Sequence, residues 1–83
     1  MGIFMKIKPT QKIDLGENIK NSIQKKNIRK ADIIRQMQLS GIPMTKQRLY
    51  KLENNQANIT ADELIMIAKI IGCDIYDFFL EKD

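Results

Sequence analysis

The sequence predicts an all-α fold: five short helices preceded by an extended N-terminal arm. Three observations carry that expectation. Ile and Leu recur every three or four residues along most of the chain, the period of one helix face. Asp14, Thr45, Thr60 and Asp74 stand just ahead of such stretches, where a short polar side chain caps a helix. Asn, Gly and Pro separate them. With 83 residues the chain can bury only one core, so it divides into an arm, residues 1–13, and one domain, residues 14–83. It contains no internal repeat and no low-complexity stretch.

The arm alternates with period two, Ile3, Met5 and Ile7 on one side and Phe4, Lys6 and Lys8 on the other, until Pro9 stops it. A short strand or an extended segment fits that pattern. Asp14 and Glu17 have capping-box spacing, and Leu15, Ile19 and Ile23 follow at intervals of four, predicting the first helix through Lys26. Asn27 suits the left-handed residue that ends a helix, with Ile28 packing back. A second helix runs from about Lys30 to Gln38, with Ile33, Ile34 and Met37 as its buried stripe. Leu39, Ser40, Gly41, Ile42, Pro43 and Met44 then break the helix while offering Ile and Met to the core. Thr45 caps a third helix to about Asn54, on which Leu49 and Leu52 form a narrow apolar stripe. Thr60 and Glu63 make a capping box for the fourth, which carries Leu64, Ile67, Ala68 and Ile71 and ends at Gly72. Asp74 caps a last short helix with Ile75, Phe78, Phe79 and Leu80.

Composition narrows the function. A single cysteine, Cys73, rules out an internal disulfide, and the absence of histidine removes the usual ligands of a zinc site, so no metal is expected. The same absence removes the commonest general base and every Ser-His or Cys-His pair. No glycine-rich phosphate loop is present either. An enzyme is therefore not expected, nor a cofactor or small-molecule ligand. No apolar run is long enough to cross a bilayer and no leader pattern precedes the domain, which makes the cytoplasm the expected location, away from membranes.

The net charge of +4 conceals an asymmetry. Up to Lys51 there are twelve Lys and Arg against Asp14, Glu17 and Asp32, a balance of +9. Beyond it two Lys face seven Asp and Glu, a balance of −5. A basic half suits a polyanion such as nucleic-acid phosphate, although solvated helix faces would show the same charges. The third helix is more specific. Lys46 and Gln47 lie one turn before Lys51, on the face opposite Leu49 and Leu52. A helix fits the major groove, where Lys reaches guanine acceptors and Gln bonds adenine, so these three side chains are the candidates for DNA base contacts. An ordinary amphipathic surface helix would carry a similar pattern.

From Leu15 to Phe79 the chain resembles the helix-turn-helix family of phage repressors and Cro, the xenobiotic-response-element-like regulators. The resemblance lies in Leu15-Gly16-Glu17-Asn18-Ile19-Lys20, in the third-helix string from Thr45 to Asn54, in Glu63 to Gly72, and in the closing Cys73-Asp74-Ile75-Tyr76-Asp77-Phe78-Phe79. It implies a repressor-like domain with double-stranded DNA as partner. Thr45 would open the recognition helix and Lys46, Gln47 and Lys51 would meet base edges. Arg29, Lys30, Thr45, Arg48 and Tyr50 would lie against the DNA backbone, Tyr50 having covering the core as its alternative. The closing segment, with Phe78, Phe79 and Leu80, would be buried in the domain or shared with a second copy, and a homodimer is expected on a palindromic operator.

The chain departs from the family in three places. The turn between helices two and three is longer, as in a subgroup with a lengthened turn, and Ile34 and Gln38 stand near the places of the common small residue and glycine. Glu53 matches a buried glutamate whose arginine partner falls at Ile23 here, so its carboxylate needs another donor. Asn55 replaces the glycine after helix three, a position Asn tolerates. The competing expectation is an antitoxin-like or protein-interaction module that binds DNA only with a partner; apolar residues on helix three would favour it, and that helix is basic instead.

Overall fold

The computed structural model describes residues 13–81. Four α-helices follow one another: α1, Leu15–Lys25; α2, Lys30–Leu39; α3, Lys46–Glu53; and α4, Ala61–Ile71. A single 3-10 helix, Ile75–Phe79, ends the domain. No strand occurs among the described residues, and the expected arm lies outside them except for Ile13. The all-α expectation is met. The fifth helix is a 3-10 turn: over only five residues it starts from the Asp74 cap, whose Oδ1 accepts from the Tyr76 amide at 3.0 Å, and the Asp77 amide bonds the Asp74 carbonyl three residues back.

Helix starts follow the caps. Asp14 accepts from the Glu17 amide at 2.9 Å, Thr45 from the Arg48 amide at 3.1 Å, and Thr60 with Glu63 closes a complete capping box. All four α-helices end alike. Asn27, Gly41, Asn55 and Gly72 hold φ between 55° and 82°, and they are the positive-φ residues of the described chain. The amide one residue further on bonds back five positions in each case: Ile28 to Ile23, Ile42 to Met37, Gln56 to Lys51, and Cys73 to Ala68. This is the Schellman closure, in which the residue after the left-handed one normally packs onto its own helix. Ile28, Ile42 and Cys73 do so, half-buried against the core. Gln56 is polar and exposed.

Ile19 and Ile23 of α1, Ile33 and Met37 of α2, Leu49 and Leu52 of α3, Leu64 and Ile67 of α4, and Phe78 meet in one core. Ile34 lies only at its edge. α1 packs on α3 and on the 3-10 helix, and α2 packs on α4. The long turn before α3 is fixed at both ends. Gly41 reverses the chain at φ 82°, Met44 is 1% exposed, and the Gln38 side chain donates to the Met44 carbonyl at 2.8 Å. No helix among the described residues is long and apolar enough to cross a membrane.

Candidate nucleic-acid interface

α3 is held from three sides, and that fixes which of its side chains face outward. Leu49 and Leu52 anchor its inner face, at 1% and 3% exposure. At its first turn Arg48 grips Glu63 of α4 with two bonds, Nε to Oε2 at 2.6 Å and Nη2 to Oε1 at 2.8 Å, and Nη2 also donates to the Asn58 carbonyl at 3.0 Å. The fork geometry suits a carboxylate. Glu63 Oε1 further accepts from the Thr60 amide at 2.8 Å, so the cap of α4 and the tether of α3 share one carboxylate. Burial of Glu63 favours its neutral form, yet the bonds from Arg48 and Thr60 outweigh it and lower its pKa; the bond to Glu63 in turn raises that of Arg48 against its own partial burial.

At the other end, Glu53 is the last residue of α3 and its side chain is 2% exposed. Lys30, the first residue of α2, supplies the donor that the sequence left open: Nζ lies 2.7 Å from Glu53 Oε1. The other carboxylate oxygen, Oε2, is buried without a hydrogen bond. One ion pair between residues 23 positions apart thus joins the start of α2 to the end of α3. The Lys30 side chain stays 43% exposed.

The third restraint comes from α1. The Asn55 side chain, just past α3, accepts from the Gly16 amide at 3.0 Å and donates to Asp14 Oδ1 at 2.7 Å. A Cβ at Gly16 would stand 2.5 Å from the Glu53 carbonyl and 2.6 Å from that of Leu52, so only glycine lets α1 approach the end of α3 this closely.

With the inner face so constrained, Lys46, Gln47, Tyr50 and Lys51 are exposed together, and with Gln56 they line one open depression along the outer face of α3. The structure therefore brings the three expected base-reading residues to one surface. Thr45 is exposed at the head of the same helix. Arg29 and Lys30 sit at the start of α2, outside the depression. Arg48, half-buried, directs Nε and Nη2 inward to Glu63 and Asn58, which gives it a structural task the sequence did not reveal. Tyr50 is 60% exposed and covers no core. Gln56 was also missed, although the left-handed Asn55 implies that the next residue folds back beside the helix. At the C-terminal end Phe78 is fully buried, Phe79 half-buried and Leu80 60% exposed. Phe78 therefore offers no surface to a second copy, because the core of its own domain takes the whole ring, and the exposed apolar groups there are Leu80 and Tyr76.

Two helices joined by a pinned turn, the second presenting a basic, amide-bearing face, define a DNA-binding helix-turn-helix domain. The chain belongs to the family of the Cro/C1-type HTH DNA-binding domain, which it matches over residues 18–80. No curated protein and no solved structure is matched by the chain.

Proposed function

We propose that the protein is a sequence-specific transcriptional repressor that occupies a palindromic operator as a twofold dimer, with α3 in the major groove. The observation that carries this reading is the single outward face of α3, on which Lys46, Gln47 and Lys51 stand free while the opposite face is locked to α1, α2 and α4. A preorganised helix loses little on docking, and Lys and Gln are the side chains that reach guanine and adenine edges. Arg29, the outer part of Lys30, Thr45 and the remaining amino group of Arg48 would hold phosphates and set the register. Two copies joined through Leu80 and the edge of Phe79 would present recognition helices roughly 34 Å apart, one turn of DNA. Repression would follow from occlusion of a promoter.

The test is binding of the full chain to DNA fragments flanking its own gene, beside Lys46→Ala and Lys51→Ala, with a promoter reporter in parallel. Saturable, selective binding that loses selectivity in both variants, together with lowered reporter output, is the expected result. Equal binding to all DNA, unchanged in both variants, would remove the reading, and a raised reporter output would overturn the repressor role.

A further inference from the structure

The depression on α3 has walls that do not match its charge. Four of its five lining residues end in an ammonium or an amide, Lys46, Gln47, Lys51 and Gln56, yet the surface it presents is mainly apolar. Its apolar groups are the Tyr50 ring and the methylene stems of Lys and Gln, side chains that keep their polar ends toward water while their stems cover apolar surface. Tyr50 is not there for the core, since Leu49 and Leu52 fill the inner side of α3 and the tyrosine is 60% exposed. Gln56 is also out of pattern. At the other three helix ends the equivalent residue turns its side chain onto the core, and at α3 alone it turns to the outer surface.

We propose that this depression is a specificity pocket for the 5-methyl group of thymine. The inference rests on the operator reading, and it assigns Tyr50 to a base edge instead of the DNA backbone. In the major groove the edges of the four bases offer hydrogen-bond donors and acceptors, and the thymine methyl is the one apolar knob among them. A mainly apolar recess lined by Lys46 and Lys51 suits a methyl group carried on a polyanion, in the polarity of its surface and in the charge of its lysines. Tyr50 supplies the one aromatic ring of the lining, and Gln56 joins it there, brought beside Lys51 by its 2.7 Å backbone bond to that residue.

The experiment uses duplexes enriched from a random pool by the full chain, in which each thymine of one half-site is replaced in turn by deoxyuridine, a change that deletes only the methyl. At one position binding weakens about fourfold, the equivalent of about 0.8 kcal/mol for one buried methyl-sized group, with the salt dependence unchanged because no phosphate contact is lost. Tyr50→Ala binds the thymine and deoxyuridine duplexes alike at that position, and Tyr50→Phe keeps the difference. An unchanged melting temperature shows that both variants are folded. Equal binding of thymine and deoxyuridine at every position by the unaltered chain, or a difference that survives Tyr50→Ala, overturns the pocket while leaving operator binding intact. Failure to enrich any sequence overturns operator recognition and the pocket together.

Discussion

Glu53 and Glu63 are the two buried carboxylates of the described residues, and they are held in different ways. Glu53 receives one ammonium bond and leaves Oε2 without a partner, so its pair with Lys30 fixes where α2 and α3 meet more than it adds to stability. The Glu63 carboxylate receives two bonds from Arg48 and one from the Thr60 amide, while its own amide donates to Thr60 Oγ1, and the bonds with Arg48 and Thr60 hold its pKa below the ordinary 4.5 in spite of burial. A carboxylate lowered in the folded state stabilises fully above its unfolded value, and that contribution disappears as pH falls through the lowered one. Glu63→Gln, which turns an amide toward the Arg48 fork, is expected to cost about 2 to 3 kcal/mol at neutral pH. In urea titrations against the unaltered chain the gap should narrow once the pH drops below 4.5. A gap that stays constant down to strongly acid pH would show that Glu63 is not the group whose ionisation matters.

Between elements, the closest approach is that of α1 to the end of α3. Gly16→Ala would drive a methyl into two backbone carbonyls, and neither can move without shifting a helix, so a loss of about 1 to 3 kcal/mol is expected. Because the carbonyls belong to Leu52 and Glu53, the same change should displace α3 and weaken DNA binding in molecules that remain folded. Thermal melts and binding titrations on one preparation separate the two effects; a variant as stable as the parent would show that the helices slide apart freely. Helix starts and ends were legible in the sequence because caps and left-handed residues are local: Asp14, Thr45, Thr60 with Glu63, Asn27, Asn55 and Gly72 all act within a few positions of themselves. The outward face of α3 was legible for the same reason, since Leu49 and Leu52 fix its opposite side. Long-range partners were not. Lys30 with Glu53, Arg48 with Glu63, and the Asn18 side chain that donates to the Phe78 and Leu80 carbonyls at 2.8 and 2.9 Å depend on how helices pack. Helix period marks Phe78 and Leu80 as equally apolar, and only the packed core separates a buried ring from an exposed leucine.

Across the whole molecule, charge and apolar surface are divided. α1 to α3 carry most of the cations, whereas α4 and the segment after it carry Asp62, Glu63, Asp74, Asp77 and Glu81. Tyr76 and Leu80, 75% and 60% exposed, lie at that acidic end. If two copies join there, the like charges of Asp74, Asp77 and Glu81 oppose the contact while burial of Leu80 and Tyr76 favours it. Salt would then act in opposite directions on the two assemblies. Screening relieves the repulsion between acidic ends and strengthens the dimer, but counter-ion release weakens DNA binding by about 0.9 in log affinity per tenfold salt for each phosphate neutralised. Sedimentation at rising salt should therefore show tighter self-association as DNA affinity falls, and Leu80→Asp should abolish the dimer without lowering the melting temperature, since Leu80 lies outside the core. A self-association that weakens with salt as DNA binding does would instead point to a contact between unlike charges, and so to a joint involving the basic helices in place of the C-terminal end.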